Sequence, residues 1–201
     1  MGLRNTKEVY GSVAKWLHWL TALCFLMLYV TTYYRSYFME DRRSEWGHEV
    51  VLIHLMFGWT VLFLLVPRII WALTTIQPLD VPGKRWEHFA AKAGHWAIYL
   101  LTIVMFLTGY LGTHDDTPYL HLFDIPQFQS TPMFGWAVST FNLVWEDFEV
   151  LMDYLHRDLI GTWVVLPLIG IHVVAAFYHH FVRRDTTLVR MVPGMKVKTE
   201  K

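Results

Sequence analysis

The sequence predicts an all-α fold: a four-helix transmembrane bundle with both termini cytoplasmic and a long periplasmic insert between helices 3 and 4. Three observations predict this fold. Hydrophobic residues form 54% of the 201 positions and charged residues only 17%, against roughly 45–50% and about 25% in soluble domains. Four long stretches contain no Asp, Glu, Lys or Arg. Basic residues are concentrated in alternate connections between those stretches.

The four uncharged stretches are long enough to cross a membrane as helices. They cover residues 16–34, 50–67, 93–114 and 159–182. A bilayer core of roughly 30 Å requires about 20 mainly apolar residues. The first stretch lacks a small-x-small cleavage site, so it is not predicted to be a removable signal peptide. With flanking residues included, the stretches predict transmembrane helices at about 13–34, 49–74, 90–113 and 157–182, in a single membrane domain of residues 1–201.

The distribution of basic residues predicts the orientation of these helices. Cytoplasmic connections of membrane proteins carry an excess of Lys and Arg. The other side of this chain has only Arg35, Arg42, Arg43 and Arg157. The remaining basic residues lie at the two termini and between the second and third helices, which predicts both termini in the cytoplasm: Arg4, Lys7, Lys15, Arg68, Lys84, Arg85, Lys92, Arg183, Arg184, Arg190, Lys196, Lys198 and Lys201.

The predicted periplasmic insert, residues 114–156, has two different halves. Its first half contains Pro118, Pro126 and Pro132 among aromatic residues, a composition that argues against regular structure. Its second half predicts an amphipathic helix, because apolar residues recur there at spacings of 4, 3, 4 and 3: Phe141, Trp145, Phe148, Met152 and Leu155.

This amphipathic helix predicts a contact surface as well as a structure. In water its apolar stripe would form a sticky patch, so we expect the stripe to pack on the mouth of the bundle. The opposite face would then point to the periplasm with its four acidic residues, Glu146, Asp147, Glu149 and Asp153.

Composition excludes several other classes of function. The 17 basic and 17 acidic residues give a net charge of zero, which argues against a nucleic-acid partner. The single cysteine, Cys24, excludes an internal disulfide and any CxxC motif. The histidines therefore carry the chemistry that can be inferred.

Eleven histidines are present, and most lie in or beside the predicted helices. An imidazole in hydrocarbon is costly unless it is hydrogen-bonded or bound to a metal. A single histidine near a helix end is more often a hydrogen-bonding residue at the membrane interface. That alternative stays open for His88, His95 and His180.

Four histidines form two pairs of matched depth. His18 and His172 are expected towards the cytoplasmic side, and His54 and His156 towards the periplasmic side. Two such pairs match the axial ligands of two haems between facing helices. Zinc is less favoured, because no carboxylate or thiolate lies at the same depth to complete a tetrahedral set. Several glycines would leave room either for a flat macrocycle or for close helix packing: Gly58, Gly94, Gly109, Gly161 and Gly170.

The spacing of the two histidines in the fourth helix departs from this pattern. His156 and His172 are 16 residues apart, whereas about 14 residues complete four turns of an α-helix. In a regular helix His172 would be rotated roughly 160° from His156. Pro167 lies between them, and a kink or bulge there would restore a common face. A neighbouring histidine as the fourth ligand is the alternative.

Several segments resemble the bacterial cytochrome b561 family. They are Trp-Leu-His-Trp at 16–19, His54-x-x-x-Gly58, Gly-Ile-His-Val-Val-Ala-Ala-Phe-Tyr-His-His-Phe at 170–181, and Arg-Arg-Asp-Thr-Thr-Leu-Val-Arg-Met-Val-Pro at 183–193. The resemblance covers the first, second and fourth helices and the tail well and the third helix moderately, and it excludes residues 114–153. It implies a di-haem b protein of the bacterial inner membrane that exchanges electrons with quinone. The implied ligands of the haem irons are His18, His54, His156 and His172.

Three hypotheses about function remain open. The first is electron transfer between a periplasmic donor and the quinone pool, as in the family's membrane superoxide oxidase, which passes electrons to ubiquinone. Arg157 would lie near the outer haem. His179, seven residues after His172, would supply a proton on the quinone side. A site for superoxide would benefit from positive charge, yet residues 112–156 contain no Lys or Arg.

The second hypothesis is an electron-transfer subunit that docks a periplasmic redox protein, such as cytochrome c or a larger complex, on its acidic insert. The b subunit of membrane-bound hydrogenases is similar in this respect. The third hypothesis is a non-redox transporter that uses the histidines in a membrane-embedded bundle.

Overall fold

The structure is a computed structural model that describes residues 2–120 and 122–195. Four helical stretches are long and apolar enough to cross a membrane: α1 (Ser12–Tyr37), α2 (Glu45–Thr74), α3 (Arg85–Leu111) and the composite helix Trp145–Phe181. The mainly helical fold with four candidate transmembrane helices is thereby confirmed. The orientation stays a prediction, and its tail residues Lys196, Lys198 and Lys201, like His121, lie outside the described residues.

The helices extend beyond the uncharged stretches that predicted them. Helix α2 begins at Glu45, α3 begins at Arg85, and the fourth helix begins at Trp145. Charged side chains are compatible with helix ends because a long side chain can bury its stem while its charge stays in water. The uncharged stretches therefore mark the apolar middle of each helix and not its termini.

The chain divides into two compact units. Unit 1 comprises Met1–Ala22, Phe63–Leu100 and Val165–Lys201. Unit 2 comprises Leu23–Leu62 and Leu101–Val164.

Hydrogen bonds between distant parts of the sequence hold the described part of unit 1 together. The Asn5 amide donates to the Thr75 hydroxyl at 3.1 Å. Lys15 is buried, and its Nζ donates to the Val192 carbonyl at 3.2 Å. The Trp19 indole donates to the Met191 carbonyl at 3.0 Å. The N-terminal segment and the short C-terminal helix α7 (Thr187–Met191) are thereby fixed to this unit.

In unit 2, the proline-containing half of segment 114–156 is regular, contrary to expectation. A two-stranded antiparallel sheet joins β1 (Thr117–Tyr119) to β2 (Phe123–Ile125), and a 3-10 turn (Phe128–Ser130) and helix α4 (Pro132–Phe141) follow. The prolines occupy positions that tolerate a missing N–H. Pro118 lies in a strand with one paired neighbour, Pro126 follows β2, and Pro132 starts α4 after the N-cap Thr131.

The predicted amphipathic helix is interrupted. Helix α4 ends at Phe141, Asn142 takes a left-handed conformation with φ 52°, and α5 runs from Trp145 to Asp153. Phe141 is consequently 63% exposed and not part of the packed stripe. Within α5 the prediction fits better, since Met152 is buried and Phe148 is half-buried.

An aromatic cluster packs segment 114–156 against α3 within unit 2. Phe128 is only 3% exposed, and its ring centre lies 5.6 Å from that of Phe134 and 6.2 Å from those of Tyr110 and Phe148. Tyr110, on α3, also donates its hydroxyl to the Pro126 carbonyl at 3.1 Å. The segment therefore has a core of its own that is anchored to a transmembrane helix.

We expect Phe128→Ala to lower the free energy of unfolding by about 3–5 kcal/mol, because a buried aromatic ring would be replaced by a cavity. Thermal unfolding in detergent, followed by circular dichroism, measures the loss. Trp136→Ala is the control, since Trp136 is 60% exposed in the same segment and its removal should change the unfolding temperature little. Equal effects of the two substitutions would contradict the assigned core.

Candidate functional site

In unit 1 the structure brings the predicted pair His18 and His172 together and adds a third histidine. The ring centres of His18 (α1) and His172 (α6, Leu166–Phe181) are 6.1 Å apart. The ring of His95, on α3, lies 5.3 Å from that of His172. The sequence leaves the role of His95 open. His95 is seven residues from His88, which places both on one face of a helix, but the sequence does not show what that face contacts.

In unit 2 the structure brings together the second predicted pair. The ring centres of His54 (α2) and His156 are 6.2 Å apart, with an angle of 84° between the ring planes. His156 lies in a stretch of π-helix, Tyr154–Val165, that continues α5. Each unit thus contains one pair of facing histidines from different helices.

The separation of the rings fits a metal held between two imidazoles. A metal–nitrogen bond is about 2 Å long, and a ring nitrogen lies roughly 1 Å from the ring centre. Two axial imidazoles on opposite sides of one iron therefore have centres roughly 6 Å apart. Both pairs meet this requirement, at 6.1 and 6.2 Å.

Hydrogen bonds prepare both histidines of unit 2 to bind a metal through Nε2. His156 Nδ1 donates to the Met105 carbonyl at 2.8 Å. His54 Nδ1 lies 3.0 Å from the Thr31 hydroxyl, which itself donates to backbone carbonyls of α1 and so accepts from the ring. A proton on Nδ1 leaves the Nε2 lone pair free, and such a partner is what metal-binding histidines use to fix their orientation.

The hydrogen bonds of unit 1 are different. His95 Nδ1 donates to the Ala91 carbonyl at 2.7 Å. Arg68 Nη2 lies 2.8 Å from His18 Nδ1, and because a guanidinium only donates, His18 must accept there. Binding of iron at Nε2 of His18 therefore requires either that Arg68 turns away or that His18 loses its remaining proton.

Two predictions from the sequence place Arg68 differently. The count of basic residues groups it with the connection between the second and third helices, but the predicted helix at 49–74 contains it, and it lies within α2. Its Nε donates to the Tyr99 hydroxyl at 3.2 Å, and its guanidinium carbon lies 5.4 Å from the centre of the Tyr99 ring. A charged side chain inside an apolar helix needs such partners to offset its lost hydration.

The π-helix resolves the spacing problem in the fourth helix. A π-helix bonds i to i+5 and turns about 82° per residue, less than the 100° of an α-helix. Over the nine steps from His156 to Val165, a π-helix therefore turns about 160° less than an α-helix would. The kink or bulge expected near Pro167 is therefore the π-helix that precedes this proline. Pro167 itself lies in the first turn of α6.

Among the glycines named above, Gly109 and Gly161 approach His156 closely. A Cβ on Gly109 would lie 2.7 Å from His156 Cε1, and one on Gly161 would lie 2.6 Å from the His156 carbonyl oxygen. Gly58, Gly94 and Gly170 have nothing within 4 Å of such a Cβ. Close approach to a histidine thus explains the first two glycines, and open space surrounds the other three.

Unit 1 also contains a cavity of about 430 Å³. Its lining includes His95, Arg68, Trp71, His179 and Arg190. In the described residues, three of the four buried polar atoms without a hydrogen-bond partner belong to lining residues: Trp71 Nε1, Thr187 Oγ1 and Arg190 Nε. Such atoms favour a ligand that carries oxygen acceptors.

His179 joins this cavity to a carboxylate. Its Nδ1 lies 2.5 Å from Asp185 Oδ2. Burial alone would raise the pKa of Asp185, but hydrogen bonds from Thr187 and His179 outweigh it and lower the pKa below its usual range. Asp185 is therefore ionised at neutral pH.

The other predicted site residue, Arg157, is next to His156 in sequence, but its guanidinium is paired with Asp158 at 3.0 Å. Its positive charge is consequently offset by a carboxylate on the following residue. In the same unit, His114 is hydrogen-bonded to Glu149, and His48 lies 3.7 Å from Asp115.

Comparison with known proteins shows what this chain is similar to. A family profile described as "Prokaryotic cytochrome b561" matches residues 9–194. The chain is 31% identical over 202 residues to "Cytochrome b561 homolog 2" of Escherichia coli (strain K12), covering 96% of this chain and 95% of that protein.

Two further relatives have more specific names. "Probable superoxide oxidase CybB" of Yersinia pestis is 26% identical, with 92% of this chain and 96% of that protein covered. "Probable Ni/Fe-hydrogenase B-type cytochrome subunit" of Rhizobium leguminosarum bv. viciae is 21% identical, with 96% and 90% covered.

We expect Gly109→Ala to displace His156, because the new methyl group would overlap the imidazole and break its hydrogen bond to Met105. Haem bound per chain should fall by about half if His156 is one of four ligands, as measured by the pyridine haemochrome assay. Gly135→Ala is the matched control, since nothing lies within 4 Å of its Cβ. Full haem content in Gly109→Ala would argue against His156 as a ligand.

Proposed function

This chain belongs to the prokaryotic cytochrome b561 family, and on that premise we propose that it is a di-haem cytochrome linking a periplasmic electron donor to the quinone pool. The resemblance inferred from the sequence is confirmed. Family membership gives a membrane b-type cytochrome that binds haem b and transfers electrons. The number of haems, their ligands, the donor and the acceptor are the content of the proposal.

The two histidine pairs carry this proposal. His18 and His172 would hold one haem b, and His54 and His156 the other, as supported by ring separations of 6.1 and 6.2 Å. A bound haem supplies reversible one-electron chemistry. The chain's own contribution is to fix each imidazole: Met105 and Thr31 orient the unit 2 pair, and Arg68 places a positive charge beside His18.

The cavity of unit 1 supports ubiquinone as the acceptor. Its volume of about 430 Å³ lies within the range of roughly 300–1,000 Å³ found for ligand pockets. Reduction of a quinone to a quinol takes up two protons, and His179 lines the cavity with a side chain suited to proton transfer at neutral pH. We place the quinone headgroup beside His179, with the surrounding lipid as its source.

The charge of segment 114–156 helps to distinguish between the possible electron donors. The first turn of α5 contains Glu146 and Asp147, both exposed, and Arg157 is paired with Asp158. An acidic surface repels superoxide and attracts a basic redox protein. Acidic residues in a first turn also stabilise the helix itself, so a structural role is the competing explanation.

Two functions therefore remain candidates for the same electron path. A superoxide:ubiquinone oxidoreductase is supported by the name of the Yersinia pestis relative, and a subunit that docks a protein partner is supported by the acidic face and by the name of the Rhizobium relative. Both place the protein in the bacterial inner membrane with its termini in the cytoplasm. The non-redox transporter hypothesis predicts no haem spectrum in the purified protein.

We expect the purified protein to bind two haems b, and His18→Ala and His54→Ala each to remove about one, because each substitution deletes one of two axial ligands. Haem per chain and the low-spin spectrum report the loss. His95→Ala tests whether His95 is itself a haem ligand in unit 1 or only a neighbour of one. We expect this variant to keep both haems. The ligand assignment is wrong if His18→Ala and His54→Ala retain full haem content and an unchanged spectrum.

We expect His179→Ala to keep both haems and to slow electron exchange with ubiquinone by about tenfold or more, as removal of a proton-transfer group does in enzymes. Stopped-flow absorbance of the haems measures the rate. His180→Ala is the control, because His180 is adjacent in sequence and does not line the cavity. Unchanged quinone kinetics in a haem-replete His179→Ala variant would remove the quinone site from this cavity.

We expect charge reversal at Glu146 and Asp147 to separate the two donors. Glu149 is left intact because His114 bonds to it. Reaction with a basic cytochrome c should slow by about tenfold at low salt and less at high salt, since complementary charge acts mainly on the association rate. Reaction with superoxide should accelerate. Equal rates before and after reversal, with either donor, would leave α5 with a structural role only.

A further inference from the structure

We infer that Asp185 is a positioning residue for proton transfer to and from the quinone, acting through His179. This inference rests on the proposed quinone site in unit 1 and adds to it a residue that does not itself contact the quinone. The observation behind it is the pair formed by the Asp185 carboxylate and the His179 imidazole at the edge of the cavity. Further hydrogen bonds hold this pair in place.

Asp185 is bound on both of its oxygens. Oδ2 lies 2.5 Å from His179 Nδ1, and Oδ1 accepts from the Thr187 backbone N–H at 2.9 Å. The Asp185 backbone N–H in turn donates to the His179 carbonyl at 3.1 Å. The two side chains are mostly buried, at 26% exposure for His179 and 15% for Asp185.

The segment that carries Asp185 is fixed to other parts of unit 1. Arg183 is paired with Glu87 of α3 at 3.1 Å, and Arg190 donates to the Leu79 carbonyl at 2.6 Å. Arg184 has φ 53°, a left-handed conformation that turns the chain back so that Asp185 faces His179. The geometry of the pair is therefore set by the fold around it.

The partner of Nδ1 distinguishes the histidines that line the described cavity. His95 Nδ1 donates to a neutral carbonyl. His88 Nδ1 is 4.0 Å from Asp80 Oδ2, which is beyond hydrogen-bonding distance. His179 Nδ1 is instead hydrogen-bonded to the carboxylate of Asp185. Among these residues, His179 is the one whose ring is oriented by a hydrogen bond to a carboxylate.

The consequence for quinone chemistry follows from the tautomer. With its Nδ1 hydrogen directed at Asp185, His179 exchanges protons through Nε2. Reduction of a quinone to a quinol takes up two electrons, which bound haem would supply one at a time, and two protons, one through His179 and the other from water. The Nε2–H bond of His179 breaks as an O–H bond forms on the quinone, and water replaces the proton. Quinol oxidation reverses each step, and Asp185 holds the imidazole in the same orientation in both directions.

The test compares Asp185→Asn, His179→Ala and the double variant in the full-length, haem-loaded protein, with decylubiquinol as the probe and dithionite as a reductant that needs no quinone site. We expect Asp185→Asn to lower kcat for decylubiquinol oxidation by about tenfold or more, with KM within about twofold and dithionite reduction unchanged. The double variant should be no slower than His179→Ala, because residues that act as a unit are not additive.

Glu8→Gln is the matched control, since it removes a carboxylate from an exposed position of unit 1 that does not line the cavity. It should leave kcat and KM unchanged. If Asp185→Asn fails to retain haem, Asp185→Ser replaces it with the same expected result.

Three outcomes overturn the inference: an unchanged kcat in a haem-replete Asp185 variant, a loss confined to KM, or a double variant slower than His179→Ala by the full effect of Asp185→Asn. The proposed quinone site fails separately, when His179→Ala itself leaves decylubiquinol kinetics intact.

Discussion

The arrangement of this protein depends on the cost of placing imidazole groups in long apolar helices. His54, His156 and His18 each meet that cost with a hydrogen-bond partner on a different helix of their own unit. His54 of α2 bonds to Thr31 of α1, His156 bonds to the Met105 carbonyl of α3, and His18 of α1 bonds to Arg68 of α2. Hydroxyl groups such as Thr108 can instead bond to a carbonyl of their own helix. The histidines therefore fix neighbouring helices in register, and the same contacts leave imidazole pairs facing each other.

The two histidine pairs are alike in spacing and unlike in surroundings. The unit 2 pair is held by neutral acceptors, a threonine hydroxyl and a backbone carbonyl. The unit 1 pair has a third histidine and a guanidinium beside it, and a cavity with unsatisfied polar atoms in its lining residues. The two pairs therefore lie in two different chemical environments.

Much of this architecture could be predicted from the sequence, and the exceptions have physical reasons. The charge-free stretches predicted four helices because hydrocarbon excludes charge, and matching the depths of histidines predicted which imidazoles meet. The hairpin around Pro118 was missed because the sequence does not show which edge of a strand is paired. The break at Asn142 was missed because the regular spacing of apolar residues continues across it and hides the left-handed residue that ends the helix. The partnership of Arg68 with His18 was also missed, since counting charges assigns an arginine to a connection and not to the helix in which its side chain finds acceptors.

The π-helix of residues 154–165 has a consequence for how related chains are recognised. A π-helix uses more residues for each turn than an α-helix. This stretch therefore accommodates about two residues without the additional rotation that they would cause in a uniform α-helix. The number of residues between two histidines on one helix therefore does not give their relative rotation at 100° per residue when a π-helix lies between them. A search pattern or an alignment that enforces one interval would discard chains such as this one, or would pair the wrong histidine and place a gap inside a helix. The number of helical turns, counted with the π-helix included, is a better measure than the number of residues when such helices are compared or redesigned.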